Sequence, residues 1–167
     1  DLPWTILRPN FFMENFSHGW LAPDIRNLGR IAVPAGTGRT SFVSCEDVAA
    51  VAALAFDDPA HRGAVLDITG DDPRSHTAVA AALTRASGRP VNYEPLTEQE
   101  MRERGRRAGL PAGPLEYLLT LYGLVREGHA ARTTGTVKDL LGRPPRGFED
   151  FARDHADCWR VGAIAGA

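Results

Sequence analysis

The strongest constraint on this chain is a short run near its start. Residues 2–8, LPWTILR, are rich in β-branched and aromatic side chains and nearly continuous in apolar character. A strand with one wet face alternates. A strand without alternation reads as buried on both faces, as in a parallel sheet covered by helices. Pro9 stops the run, because proline cannot donate to a sheet ladder. Such a sheet needs crossover helices, and the sequence offers them. Residues 44–56, SCEDVAAVAALAF, read as a helix in which Ser44 caps and Asp47 sits in the positive first turn. Val48, Val51, Ala52 and Ala55 share its apolar face, and Asp57, Asp58 and Pro59 close it. GAVLDITG, 63–70, is a further strand with a glycine exit. SHTAVAAALTRASGR, 75–89, is a second alanine-rich helix, capped at Ser75 or Thr77 and ended by Gly88. PVNYEPL, 90–96, returns to a strand.

Two segments between these elements are less regular. Residues 10–28 read as one or two helical pieces, with Phe12, Phe16 and Trp20 at helical spacing and Pro23 at a break or a new first turn. Residues 29–43, GRIAVPAGTGRTSFV, read as strand, glycine-rich turn and strand. PAGTGRT is a plain turn rather than a phosphate loop: no Lys-Ser/Thr pair follows, and a strand comes next instead of a helix.

The texture changes after residue 96. TEQEMRERGRRAG is a charged amphipathic helix with Thr97 as N-cap, LPAG is a tight link, and GPLEYLLTLYGLVREG is a more apolar helix. GTVKDLLGRPP is a short helix that proline ends. GFEDFARDHADCWR closes the chain with Phe148, Phe151, His155 and Trp159 spaced for one face. The order implies an α/β portion over residues 1–95, a helical subdomain over 96–160 and a flexible tail over 161–167.

Charge and composition remove several classes. The formal net charge is −2, which leaves no strong field to hold nucleic acid or an anionic membrane. The arginine-rich block at 102–107 contains Glu103 and reads as a solvated helix face. Two cysteines stand far apart without metal spacing, so a disulfide framework is not expected and a cytoplasmic location is. The histidines are scattered singly, so no metal site is expected. No apolar stretch is long enough for a bilayer. The chain starts at Asp1, without Met and without a signal-peptide pattern, and reads as cut, processed or incompletely represented.

WTILRPNFFMENF, SFVSCEDVAAVAALAF, LDITGDD, RASGRPVNYEPL and LLGRPPRGFEDFARDH, in this order, resemble the C-terminal half of the NmrA-like proteins. That family belongs to the atypical extended short-chain dehydrogenase/reductases. The resemblance implies a partial Rossmann-like parallel sheet, its N-terminal half absent, with a helical C-terminal subdomain on the substrate side. It implies NADP or NAD as cofactor and hydride transfer from the nicotinamide to a small organic, quinone-like acceptor. The alternatives are a non-catalytic NAD(P)-sensing regulator acting through a protein partner, and a truncated chain inactive alone. The glycine-rich pyrophosphate turn of such a fold is missing from this sequence, as is any Tyr-x-x-x-Lys pair. A fragment is therefore expected over a naturally short relative, with no measurable NAD(P)H affinity by itself. An open sheet edge is expected to seek the missing N-terminal half or a second copy.

Carried over by motif, Pro9, Asn10 and Phe11 are cofactor-side residues, and Phe12, Met13 and Asn15 line the substrate pocket. Phe42 is expected to face the same pocket, and no catalytic residue is assigned. Phe16 and Trp20 read more simply as core. Asn10 and Asn15 stay open between core and ligand: an amide among aromatics must find partners if buried. Arg8 reads as an ion-pair partner, Glu14 as a solvated helix position and Asp47 as a helix-start residue. Cys45 stands where a helix dipole lowers a thiol pKa, against the plainer reading of a small buried thiol. Leu118, Leu121, Tyr122 and Val125 form an apolar helix face that covers the cleft or buries in a dimer.

Overall fold

The computed structural model describes residues 3–160. The expected flexible tail at 161–167 and residues 1 and 2 lie outside them. Strand β1 (Ile6–Pro9) pairs in parallel with β4 (Val65–Ile68), and β2 (Arg30–Val33) pairs in parallel with β6 (Asn92–Pro95). The short β3 (Arg39–Thr40) and β5 (Arg74–Ser75) pair antiparallel. The parallel arrangement is thus present, but the strands pair two by two.

The ladder of β1 and β4 explains where two-sided burial fails. Leu7 stands opposite Leu66 and packs with Ile68 against helix α2 (Cys45–Asp57) and helix α6 (Thr136–Leu141). Ile6 stands opposite Val65 and Arg8 opposite Asp67, on the other face. Ile6 and Val65 are exposed there. The strand therefore buries one face only, because no described element covers the other.

Beyond β1 the chain forms a 3-10 turn (Met13–Phe16) and helix α1 (Ala22–Leu28), with Pro23 in its first turn as expected. Met13 N–H donates to Val43 O (3.0 Å) and Val43 N–H to Phe11 O (3.0 Å), which ties the exit of β1 to the segment ahead of α2. Gly70, just past β4, lies so close to Phe42 that a Cβ would collide with the Phe42 carbonyl oxygen. Glycine is required at that crossing by space alone.

Helix starts follow local chemistry. Ser44 Oγ accepts from Asp47 N–H (3.1 Å), and Ser75 Oγ accepts from Ala78 N–H (3.2 Å) at the start of α3 (His76–Ser87). Thr97 and Glu100 form a full capping box on α4 (Glu98–Arg107). Gly88 ends α3 in the left-handed region at φ +72°. Glu14, expected to be solvated, instead caps α2 from afar: its carboxylate accepts from Cys45 N–H (3.0 Å).

Helix α5 (Ala112–Arg126) and α7 (Phe148–Asp154) complete the core. One apolar cluster joins Met13, Phe16, Phe42, Leu83, Tyr122, Val125 and Phe151 with Trp159. The closing helix is shorter than its periodicity implied. It stops at Asp154, and a 3-10 turn (Ala156–Trp159) swings Trp159 inward so that its indole N–H donates to Phe16 O (2.7 Å).

Candidate functional site

A cleft of about 860 Å³ opens where β1 and β4 end. Both strands run parallel, so the cleft lies outside their carboxyl ends, the usual ligand position in open α/β sheets. Phe11, Phe12 and Trp20 from the exit of β1 face Tyr117, Leu118, Leu121 and Leu124 from α5. Arg8, Asp67, Thr69, Arg132 and Thr134 form a polar side.

Pro9, Asn10, Phe11, Phe12 and Asn15 all line this cleft. The two asparagines differ. Asn10 is fully engaged: its amide donates to Ser41 Oγ (2.9 Å) and to Ala130 O (2.8 Å), and its Oδ1 accepts from Phe11 N–H (2.8 Å). Buried Ser41 in turn donates to Arg132 O (2.5 Å). Asn10 therefore fastens the cleft floor to the 3-10 turn His129–Ala131. Asn15 is half-buried, and its side-chain amide bonds to no other described residue. Gly19 leaves it room, because a Cβ there would come within 3.0 Å of Asn15 Oδ1.

Met13 and Phe42, expected on the pocket side, do not line the cleft; both are buried in the core. Successive residues of an extended segment point to opposite faces. Ser41 reaches the floor, so Phe42 turns inward against Phe16, ring centroids 5.2 Å apart. Met13 opens a 3-10 turn that carries its side chain into the core while Asn15 points out. Trp20 moves the other way. It is 42% exposed and forms part of the wall rather than core.

The apolar face of α5 divides. Leu115, Leu119, Tyr122 and Val125 are buried, while Leu118 and Leu121 open onto the cleft. Leu118 and Leu121 belong to the α5 face expected to cover the cleft, whereas Leu124, Asp67, Thr69, Arg132 and Thr134 escaped the sequence reading. The glycine exit of LDITG marked one of these positions, since a parallel strand end is where ligands gather. The others return to the sheet from far along the chain and carry no local signal.

The ionisable groups limit the chemistry. The Tyr122 phenol is buried and held above its ordinary range. His76 is buried among Phe16, Phe42, Tyr93 and Tyr122, and burial pulls its imidazole down to about 4. Neither lines the cleft. Cys45 is exposed, not buried, and is no activated thiol: partial desolvation and the neighbouring Glu14 carboxylate push it up to about 11. Among the described residues no group of three or more His, Cys, Asp or Glu could hold a metal ion. No described helix is long and apolar enough to cross a membrane. The cleft offers a ligand aromatic and aliphatic surface, with one free amide beside it.

No protein-family model matches the chain. The NAD(P)H azoreductase of Xenophilus azovorans is 36% identical over 155 residues, covering 93% of this chain and 54% of that protein. The NADPH-dependent quinone oxidoreductase of Escherichia coli, solved with NADPH, superposes with a TM-score of 0.80 at 27% identity, covering 92% of this chain and 53% of its own. NmrA, a negative transcriptional regulator solved with NAD, shares the fold with a TM-score of 0.61 at 20% identity over 92% of this chain and 52% of its own. The fold and the cleft first define a class: the chain has the architecture of one half of a Rossmann-like α/β protein. Along nearly its whole length the chain is similar to one half of the NmrA-like proteins, atypical members of the short-chain dehydrogenase/reductases. It spans about half the length of the relatives it matches.

Proposed function

We propose that this chain forms the acceptor side of an NAD(P)H-dependent reductase that acts on a small organic, quinone-like molecule. The observation that carries the reading is the cleft itself. Aromatic walls meet one unengaged amide, Asn15, at the carboxyl ends of two parallel strands. The E. coli relative bound to NADPH and the azoreductase support the reaction class.

The described residues fit one end of the cofactor. Pro9, Asn10 and Phe11 offer a surface at the strand ends for a nicotinamide. The pyrophosphate end is different. The helix starts of α2 and α3 are closed by Ser44 and Ser75, whose hydroxyls take the N–H groups a phosphate would need. The nicotinamide, when bound, supplies the hydride. This chain supplies position and dryness. Phe11, Phe12 and Trp20 hold a planar ring, Leu118 and Leu121 exclude water, and Asn15 donates to the acceptor carbonyl oxygen, where charge grows as the hydride arrives.

The test is NAD(P)H oxidation by the genome-encoded protein carrying this chain, against a quinone panel. Asn15→Ala is expected to lower kcat/KM about tenfold or more while leaving cofactor affinity unchanged. Cofactor binding without turnover of any acceptor would move the assignment to a sensor.

A further inference from the structure

We propose that the mouth of the cleft is an anion-binding subsite, so that its acceptor is an aromatic bearing an anionic substituent such as a sulfonate, carboxylate or phosphate. The inference rests on the reading of the cleft as an acceptor site. It starts from one carboxylate that holds two guanidiniums. Asp67 Oδ1 accepts from Arg8 Nε (2.6 Å), and Asp67 Oδ2 lies 3.4 Å from a terminal nitrogen of Arg132. All three residues line the cleft.

The arrangement places its cations outward. The Arg8 and Arg132 side chains are 62% and 73% exposed, against 26% for Asp67 beneath them. Each arginine reaches Asp67 through a single nitrogen, and the remaining N–H groups of both meet no other acceptor among the described residues. A simple structural pair would cancel one charge with one charge. Here a second guanidinium is left over, although the whole chain is formally −2. The other ionisable groups on the lining are His129, which faces Glu127 at 3.5 Å, and the Tyr117 phenol. Among the lining residues two guanidiniums stand against one carboxylate, with Glu127 outside the lining beside His129, and the surplus guanidinium attracts anions.

The fork is built in advance. Arg8 and Asp67 are ladder partners, so the strands fix their spacing. Arg132 is carried by a segment pinned to the same strand: Thr134 Oγ1 donates to Asp67 O (2.8 Å), and Thr134 N–H donates to Thr69 Oγ1 (2.8 Å). Guanidiniums match planar or tetrahedral oxyanions through paired N–H bonds. The aromatic side chains of Phe11, Phe12 and Trp20 line the same cleft. One ligand satisfies both features if its ring lies against the wall and its anionic group reaches the mouth.

Isothermal titration of the full 167-residue chain tests this with two unreduced probes, anthraquinone-2-sulfonate and neutral 2-hydroxymethylanthraquinone. The sulfonate is expected to bind about tenfold tighter or more at low ionic strength, with the advantage shrinking as salt is added. Arg132→Gln is expected to remove most of that advantage and to change the affinity of the neutral probe by less than about threefold. Arg132→Lys is expected to keep part of it. Equal affinity for the two probes overturns the subsite and leaves the aromatic cleft standing. So does an advantage that survives the Arg8→Gln/Arg132→Gln double variant. Failure of both probes overturns the cleft reading and the subsite together. Inorganic phosphate binding as tightly as the sulfonate would assign the mouth to a free anion and overturn the aromatic acceptor.

Discussion

His76 sets the clearest pH response at the scale of single residues. Its ring is enclosed by Phe16, Phe42, Tyr93 and Tyr122, and its Nδ1 has no hydrogen-bond partner. It also opens helix α3, where the helix dipole opposes a positive charge. Burial holds the imidazole neutral down to about pH 4 in the folded chain. In the unfolded chain it protonates near pH 6.5. Between those values the unfolded state binds more protons, so folding stability falls as pH falls from about 6.5 toward 4. The full loss is on the order of 3 kcal/mol. His76→Phe is expected to flatten that part of the stability curve. Urea denaturation of both proteins at pH 7 and pH 4.5 measures it, and a slope unchanged by the substitution would sink the assignment to His76. Asn10 and Asn15 show a limit of residue-level reading. Sequence places both amides among aromatics, but only the fold shows that Ser41 and Ala130 consume one and leave the other free.

At the scale of elements, legibility follows the range of the forces. The caps at Ser44 and Thr97 and the left-handed Gly88 are legible, and the α3 cap is legible to within Ser75 or Thr77, because each depends on residues three or four positions away. The exposed face of β1 is not legible, because burial depends on what packs across it. The stripe on α5 is legible as apolar but not as divided: Tyr122 and Val125 meet the core while Leu118 and Leu121 meet the cleft. Asp47 has more to do than start a helix. It is fully buried, and its carboxylate accepts from Arg143 (2.7 Å) and from Arg146 N–H (2.7 Å), tying α2 to the link between α6 and α7. Asp47→Ala would strand that part-buried N–H and loosen the link. The expected cost is about 2–3 kcal/mol, below that of a wholly buried pair because Arg143 is half-exposed. Chemical denaturation measures it, and a loss below about 0.5 kcal/mol would show that the helix start alone explains Asp47.

At the scale of the whole molecule, the cleft is made by a return of the chain. The strand-exit wall lies near the start of the chain; α5 and the turn that follows it come back from far along the chain to close the opposite side. The same architecture leaves an open surface behind the cleft. The β1–β4 pair has no third strand among the described residues, so the outer edges of the pair carry unpaired backbone groups. Beside β1, Trp4 and Ile6 are exposed, and Phe56 at the end of α2 is 92% exposed. A hollow of about 230 Å³ lies between Trp4, Leu7, Ala55 and Phe56. An apolar patch beside an open edge favours association over solvation. The proposed occupant for the chain on its own is a second copy, seated on this patch. Sedimentation velocity across a hundredfold concentration range is expected to show reversible growth from monomer to dimer. Phe56→Ser is expected to shift that equilibrium toward monomer about tenfold, since a buried phenylalanine contributes about 1.5–3 kcal/mol. The substitution leaves the core intact because the ring touches solvent, so unfolding is not the cause of any change. A chain that stays monomeric throughout would show that the open edge does not seek its own kind, and that the patch awaits a different surface.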